Sequence, residues 1–525
     1  MLPADGVPGA DYAQSMAEVR LAEIVAALSL GVDLGFGQPM EHVLRESMIA
    51  LRLGERLGLG EAERSTVYYS ALLVNVGCHA DAHEQAKWFG DDIALRSGKY
   101  EHEYRSLRAA AAAMRLVGSG NPPLHRFRVG FEFALTGRRD FDGMIARHSF
   151  FARTLAERLG LPRDVQEAVG AAYEQWDGRG WPGGLAGDRI PIAARLTHFA
   201  EFIEVAHRVG GIDAATTLAQ RQSGAQFDPS VADALRADPE GVLGDLDSTH
   251  TWDAVIGAEP ALRVTLSGDS FEGALLAVAD FVDLKSPYTL GHARAVADLA
   301  AETAAQLGLP EDETRLLRRA ALVHDFGRLG VSNAIWDKPG PLGAGEWERV
   351  RLHPYLTERM LHQSAALAPL AAIAVQHRER LDGSGYPRGL SGAAVSRPAR
   401  ILGAVDAYQS MREPRPHRAA LTAEQAEAEL RADVRSGRLD ASVVDAALAA
   451  AGHRVGRRRE WPAGLTTREV DVLRLLARGL SSKQIATQLV ITPKTARNHI
   501  EHIYTKIDAS SRVTASLYAT EHGLL

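Results

Sequence analysis

The chain has 525 residues, a formal net charge of −7 and 46% hydrophobic residues, which suffices for packed cores in about three domains. Its single cysteine, Cys78, excludes an internal disulfide and fits a reducing compartment. The first residues lack a basic patch followed by an apolar run, and no apolar run is long enough to span a bilayer. We therefore expect a cytoplasmic protein without membrane contact. Alanine-rich segments with few alternating stretches predict an all-α fold.

Five short motifs follow one another in the first part of the chain. They are EHVLRE from Glu41, LLVNVGC from Leu72, ARHSF from Ala146, YEQWDGRGWPGGL from Tyr173 and ARLTHFAEF from Ala194. We place a first domain at residues 1–238. Residues 239–268 are predicted to be a linker.

The same motif order recurs in the second part, which indicates an internal repeat. The motifs there are GHARAV from Gly291, LVHDFGRLG from Leu322, RLHPY from Arg351, HRERLDGSGYPRGL from His377 and RILGAVDAY from Arg400. His292 and His324 are 32 positions apart, and so are the corresponding residues of the first copy, His42 and Val74. Only one interval differs, and it predicts an insertion of 45 residues near residues 81–141 of the first copy.

The second set of motifs resembles the HD-GYP phosphohydrolases, a helical metal-dependent family that hydrolyses cyclic di-GMP and related phosphodiesters. The resemblance covers roughly Asp280 to Val455, and we place this domain at residues 269–455. It implies two tandem HD-type helical domains and one or two divalent transition metal ions, iron or manganese. The implied metal ligands are His292, His324, Asp325, His353, His377 and Asp406, with Asp325 bridging two metals.

Three residues of the second copy depart from the family pattern. Arg378 stands where a second adjacent histidine is usual, and a guanidinium cannot ligate a metal. Arg328 replaces a lysine and can still hold phosphate in a bidentate manner, so Asp325 and Arg328 are the candidate catalytic residues. Tyr288 stands where some members place an extra glutamate ligand, which argues against a third metal. Two outcomes stay open: one tight metal with weak activity, or a ligand-sensing pocket without turnover.

The first copy lacks most of these ligands, and we expect it to be inactive as an enzyme. Its substitutions are Val74-Asn75 for the His-Asp pair, Ala172-Tyr173 for the later histidine pair and Glu201 for the final aspartate. His42 and His148 remain, but two isolated histidines do not build such a site. Turns and packing alone account for the surviving glycines Gly77, Gly178 and Gly180.

The last sixty residues predict four short helices. Thr466 or Thr467 caps the first, which Gly479 ends; Ser481 or Ser482 caps the second, and Thr492-Pro493 opens the third. Ala496, Ile500 and Ile503 form one apolar stripe of the third helix, and Arg497, Asn498 and Glu501 lie on its other side. Residues 510–522 predict a fourth helix.

This stretch resembles the LuxR-type helix-turn-helix over nearly its full motif length, and we place the domain at residues 456–525, after a second linker at 451–463. The resemblance implies contacts to double-stranded DNA by Lys483, Thr495, Arg497, Asn498 and His499. Glu501 departs from the basic residue often found one turn later. The distribution of charge agrees with DNA binding, because residues 456–525 carry a net charge of +5 and the rest of the chain carries −12.

Three functions are compatible with these features. The first is a transcriptional regulator whose HD-type domains sense a nucleotide, such as cyclic di-GMP, or a metal-bound ligand, and thereby control the DNA-binding domain. The second is an active phosphodiesterase with an accessory DNA-binding domain. The third is a scaffold in which the HD-type domains only mediate dimerisation. In the first case we expect a homodimer, because operators with two-fold symmetry require two DNA-binding modules.

Overall fold

The computed structural model describes residues 18–100, 114–119, 123–133, 138–452, 461–489 and 491–525. Within these ranges almost all regular structure is helical, which confirms the predicted all-α fold. The chain forms two compact units, one of Met1–Ala80, Gln85–Ala277 and Arg359–Pro369, and the other of Asp81–Glu84, Val278–Glu358 and Leu370–Leu525. The predicted start of the DNA-binding domain at residue 456, and most of the linker expected at 451–463, lie outside the described residues.

The first half of the chain contains twelve described helices and both strands. The helices are α1 (Leu21–Gly35), α2 (His42–Arg56), α3 (Glu61–Leu73), α4 (Ala82–Phe89), α5 (Asp92–Ser97), α6 (Pro123–Glu132), α7 (Arg138–Arg158), α8 (Arg163–Gly170), α9 (Ile192–Gln222), α10 (Pro229–Ala237), α11 (Pro239–Leu243) and α12 (Thr251–Gly257). The strands β1 (Val19–Arg20) and β2 (Thr265–Leu266) pair antiparallel, with Val19 opposite Leu266. Helix α9 is kinked at Gly210 and Gly211.

The second half begins with α13 (Gly268–Asp283). The following helices are α14 (His292–Gln306), α15 (Glu311–Val323), α16 (Asn333–Trp336), α17 (Ala344–Arg351), α18 (His353–Leu361), α19 (Ala368–Ala374), α20 (Arg397–Arg412), α21 (Ala423–Arg435) and α22 (Ala441–Gly452). Four more complete the chain: α23 (Thr467–Ala477), α24 (Ser482–Leu489), α25 (Pro493–Lys506) and α26 (Arg512–Glu521).

The internal repeat is visible in the backbone. Helices α2 and α14 both begin at a repeat histidine and both follow a residue with left-handed backbone, Glu41 (φ 82°) and Gly291 (φ 73°). In both copies a glycine is needed where a turn lies against the backbone of the next repeat histidine: a Cβ at Gly77 would lie 2.1 Å from the carbonyl oxygen of His148, and a Cβ at Gly327 would lie 1.8 Å from that of His353. Close packing thus explains why the first copy keeps glycines after losing ligands.

Residues 239–268, predicted to be a linker, are folded and belong to the first unit. They contain α11, α12 and β2, and they bury Leu243 and Trp252. Glu259 is almost fully buried, accepts a hydrogen bond from Tyr69 (2.5 Å) and forms an ion pair with Arg20. The sequence of this range predicted a linker because its few apolar residues have neither helical nor strand periodicity.

The C-terminal domain has its predicted form. Thr466 caps α23 and Thr492 caps α25 through hydrogen bonds to backbone N–H groups, and Gly479 adopts φ 84° after α23. Ala496 and Ile503 of α25 are fully buried in a core with α23, α24 and α26, and Ile500 packs against it. Among the described residues, no helix is long and apolar enough to cross a bilayer.

Candidate metal centre and nucleic-acid interface

The second HD-type copy gathers all six predicted metal ligands in one buried site. His292, His324, Asp325 and His353 lie at or next to helix ends, His377 lies in the turn after α19, and Asp406 lies in α20. None of the six is more than 3% exposed. The donor atoms of His292, His324 and Asp406 all lie within 4.8 Å of one another, and so do those of His324, Asp325 and His377. His353 completes the second group, since its Nε2 is 3.5 Å from Oδ1 of Asp325.

Two donor groups share this site, which we name the His292 cluster (His292, His324 and Asp406) and the His377 cluster (Asp325, His353 and His377). Asp325 directs one oxygen to each: its Oδ2 lies 3.7 Å from Nε2 of His324, and its Oδ1 lies 3.7 Å from Nε2 of His377. A carboxylate with this arrangement could bridge two cations, which is the role that the family resemblance implies for Asp325.

Backbone hydrogen bonds orient three of the four histidines. The Nδ1–H groups of His324, His353 and His377 donate to the carbonyls of Ala321 (2.7 Å), Val350 (2.6 Å) and Ala374 (2.7 Å), respectively. A carbonyl can only accept, so Nδ1 carries the proton, and in the neutral ring Nε2 presents a lone pair. All three lone pairs therefore face the interior of the site.

The ionisation states at neutral pH suit metal ligation. Burial lowers the pKa of His353 to about 4 and that of His377 well below its ordinary value. Burial alone would raise the pKa of Asp406, but the Arg378 guanidinium keeps it well below the ordinary range. His292 differs: burial would lower its pKa, yet the carboxylates of Glu413 and Asp406 raise it to about 10. A cation at the His292 cluster must therefore displace a proton.

The donors fit a divalent transition metal. Nε2 of His353 and Nε2 of His377 lie 3.2 Å apart, and because both are lone-pair atoms they cannot hydrogen-bond to each other. Within the described ranges, the buried Nε2 of His324 and Oδ1 of Asp325 also make no hydrogen bond. Lone-pair atoms that face one another in a buried site are stabilised when a cation lies between them. A set of imidazole and carboxylate ligands is suited to iron, manganese or zinc.

Arginines surround the clusters. Arg378, at the position of a missing histidine, points NH1 at Oδ2 of Asp406 (3.2 Å) and so lies beside the His292 cluster. Arg328 lies 3.2 Å from Oδ2 of Asp325, and its guanidinium stacks 3.9 Å from the ring centre of Trp336. These two cations can neutralise phosphate oxygens beside the metal ligands.

Glu413 and Arg415 complete the site and were not predicted. Glu413 directly follows α20, and its carboxylate lies 3.0 Å from Nδ1 of His292. Arg415 holds Glu413 (2.9 Å) and the carbonyl of Tyr288 (3.2 Å). The only signal in the sequence is that Glu413 lies seven residues, about two helical turns, after Asp406.

The corresponding site of the first copy holds an ammonium group among its remaining polar residues. Nζ of Lys99, which lies in the predicted insertion, is 2.5 Å from Oε1 of Glu201, and Asn75 and Tyr100 donate to the same oxygen at 2.8 Å and 2.9 Å. Burial alone would raise the pKa of Glu201, but Lys99 lowers it to about 2. Lysine thus balances the charge that a metal would balance in an intact site.

The other half of the first-copy site contains a thiol. Sγ of Cys78 lies 2.9 Å from the Tyr173 hydroxyl and 3.4 Å from Nδ1 of His148. Cys78 occupies the position of Arg328 and Tyr173 that of Arg378, so this copy lacks both phosphate-facing cations. Its donors do not form a metal-binding group among the residues that the structure describes.

The predicted DNA-contacting residues are all accessible to solvent, at least in part. Lys483 on α24 and Thr495, Arg497 and Asn498 on α25 are exposed, and His499 is half-buried. The side chain of Thr495 also hydrogen-bonds to the Thr492 hydroxyl (2.8 Å) at the start of α25. Because the apolar stripe of α25 is buried, its basic face is free to enter a major groove.

Comparison with known proteins agrees with this geometry. The HD domain family matches residues 142–231 and 277–443, and the family of bacterial regulatory proteins, luxR family, matches residues 463–519. The 3'3'-cGAMP-specific phosphodiesterase 3 of Vibrio cholerae is 30% identical over 410 residues, which cover 77% of this chain and 89% of the relative. The chain belongs to the HD-domain phosphodiesterase family. It adds a C-terminal LuxR-type domain.

Further relatives of this HD-domain protein match it in part. The cyclic di-GMP phosphodiesterase response regulator RpfG of Xanthomonas campestris is 40% identical over 156 residues, or 29% of this chain and 40% of the relative. A crystal structure of a cyclic GMP-AMP specific phosphodiesterase of V. cholerae aligns with a TM-score of 0.58 at 26% identity, covering 83% of this chain and 98% of that one.

The lysine in the first copy generates a stability prediction. We expect Lys99→Met to destabilise the full-length protein by about 3–5 kcal/mol at pH 7, because it leaves the buried Glu201 carboxylate without its cation. Urea unfolding measures this. The pKa of Glu201 is depressed, so the contribution is present above its unfolded value and disappears as the pH falls towards about 2. The double variant Lys99→Met/Glu201→Gln should lose less unfolding free energy than Lys99→Met. The control Lys87→Met, at an exposed position, should change the unfolding free energy little. An unchanged midpoint for Lys99→Met would contradict the charge-balancing role.

The position of His324 between the two clusters generates a second prediction. Its donor atoms lie within 4.8 Å of those of His292 and Asp406 and also of those of Asp325 and His377, so His324→Ala should lower bound manganese more than the loss of any other histidine. The measurement is metal content by mass spectrometry after chelator treatment and reloading, with circular dichroism to confirm folding. His250→Ala, which removes an exposed histidine elsewhere, is the control. Equal metal content in the two variants would refute the placement of the site.

Proposed function

We propose that this protein is a transcriptional regulator whose second HD domain binds a cyclic dinucleotide at the metal centre and controls the LuxR-type domain. The observation that carries the proposal is the presence, on one chain, of a buried group of six candidate metal ligands and of helix α25 with exposed basic and polar residues. The names of the relatives support the ligand class, since they act on cyclic GMP-AMP or cyclic di-GMP. The first HD domain then has a structural or sensing role.

The roles of individual residues follow from their positions. The six ligands His292, His324, Asp325, His353, His377 and Asp406 would hold one or two ions, with iron or manganese as our proposal. A bound ion would supply a Lewis acid and an activated water. Arg328 and Arg378 bind and orient phosphate oxygens, and the stacked ring of Trp336 fixes the Arg328 guanidinium.

A contact inside the second unit supports control of DNA binding. Leu525 packs against the turn that precedes His292. A Cβ placed on Gly291 would lie 3.4 Å from the Cβ of Leu525. A ligand that moves the first turn of α14 therefore also acts on the end of the DNA-binding domain. We propose that the DNA-binding form is a homodimer. Its affinity for DNA can change only by the difference between the ligand's affinities for the two arrangements of the dimer.

Hydrolysis is the second candidate function. It is favoured by the bridging position of Asp325 between two donor groups, which is the arrangement of two-metal phosphodiester chemistry. It is opposed by the fixed positive charge of Arg378 beside Asp406. Turnover of cyclic di-GMP or cyclic GMP-AMP by the manganese-loaded full chain, measured by chromatography, decides between sensing and hydrolysis.

The DNA interface generates a third prediction. Arg497→Ala should weaken binding to the specific operator by about 1–3 kcal/mol, because Arg497 is placed to read base edges. Lys483→Ala should weaken binding to all sequences and lower the salt slope by about one unit, because it is placed at phosphate. The exposed helix residue Arg431 offers a control with the same charge change, Arg431→Ala. Unaltered affinity and footprint for Arg497→Ala would mean that α25 is not the recognition helix.

The arginine at the metal centre generates a fourth prediction. We expect the wild-type protein to hold fewer than two metals per chain and to hydrolyse cyclic di-GMP poorly. Arg378→His should raise metal occupancy, because it removes a cation 3.2 Å from the Asp406 carboxylate and adds a donor. Arg349→His, at an exposed position, is the control. Two tightly held metals and ordinary turnover in the wild-type protein would overturn this prediction.

A further inference from the structure

The support of His292 differs from that of the other three ligand histidines. Their Nδ1–H groups donate to backbone carbonyls three residues earlier in the chain. Nδ1 of His292 instead faces a side chain, with Oε1 and Oε2 of Glu413 at 3.1 Å and 3.0 Å. A carboxylate that accepts from a ligand histidine fixes the tautomer and ring orientation and makes Nε2 a stronger donor to a metal.

Glu413 is itself fixed by two partners. Nε2 of Gln409 donates to its Oε1 at 2.9 Å, and NH2 of Arg415 donates to its Oε2 at 2.9 Å. Its side chain is only 15% exposed. A carboxylate held this firmly costs little further entropy when it orients His292, which distinguishes it from a mobile surface glutamate.

The first copy holds its histidine in the same way but with a carboxylate from another position. His42, the counterpart of His292, bonds through Nδ1 to Oε2 of Glu204 at 2.5 Å. Glu204 lies three residues after Glu201, which is the counterpart of Asp406. The position three residues after Asp406 is Gln409, so in the second copy the carboxylate has moved from the third to the seventh position and an amide now holds it.

We propose that Glu413 is a positioning residue for the metal centre: it holds His292 with Nδ1–H directed at its carboxylate and Nε2 directed at the His292 cluster. Gln409 and Arg415 hold Glu413 in place. The inference rests on the proposed metal-binding function and concerns the His292 cluster, since His353 and His377 of the other cluster are oriented by the backbone carbonyls of Val350 and Ala374. Glu413 acts through His292 and is therefore a positioning residue, not a catalytic one.

The test measures the affinity of the metal-free full chain for manganese by competition with a chelator. Glu413→Ala should lower affinity about 10–100-fold, the usual cost of losing such a carboxylate. The manganese affinity of Glu413→Gln should lie between those of the wild-type protein and Glu413→Ala, because the glutamine amide oxygen can accept a hydrogen bond but carries no charge. Glu348→Gln, which alters a side chain that is 70% exposed, is the matched control and should leave affinity unchanged.

The decisive variant is Gln409→Glu/Glu413→Gln, which returns the carboxylate to the position that Glu204 has in the first copy. It should recover most of the affinity that Glu413→Gln loses, an effect that a role in packing alone would not produce. Unchanged affinity in Glu413→Ala overturns the inference, and so does loss without recovery in the double variant. A wild-type chain that binds no manganese at all instead overturns the proposed function.

Discussion

The central constraint in the second HD domain is the burial of two carboxylates among lone pairs. Asp325 is 3% exposed and Asp406 is fully buried, and three of the histidines around them, His324, His353 and His377, present Nε2 atoms without protons. Negative charge and lone pairs can share a buried site only when cations compensate them. The glycine that lets His353 approach, the carbonyls that orient the rings and the surrounding arginines all serve this balance.

The two copies solve the same electrostatic problem differently. In the first, the insertion supplies Lys99 to Glu201, and hydrogen bonds from Asn75 and Tyr100 complete the arrangement. In the second, the ligand set is kept and Arg378 contributes a fixed cation at Asp406. The fold survives either solution because backbone packing at the repeated glycines does not depend on the metal.

The C-terminal domain follows a different logic. Its core is apolar, Thr466 and Thr492 cap α23 and α25, and Lys483, Lys494 and Arg497 are exposed. The second HD domain gathers histidine and carboxylate donors in a buried site, whereas the LuxR-type domain keeps Lys483 and Arg497 exposed. Their junction at Gly291 and Leu525 joins the two through packing, without shared ligands.

The sequence alone determined the all-α fold, the repeat and the four-helix LuxR-type domain, because each depends on local periodicity, capping or motif spacing. Its motifs also named the six candidate metal ligands that the fold brings together. It failed at residues 239–268, where burial comes from partners distant in the chain. Lys99, Glu413 and Arg415 were also beyond it. Lys99 meets Glu201 across about one hundred residues and Glu413 meets His292 across 121, and no local pattern records such contacts. Only the tertiary structure brings these charges together, since their pairing is stable solely where water is excluded.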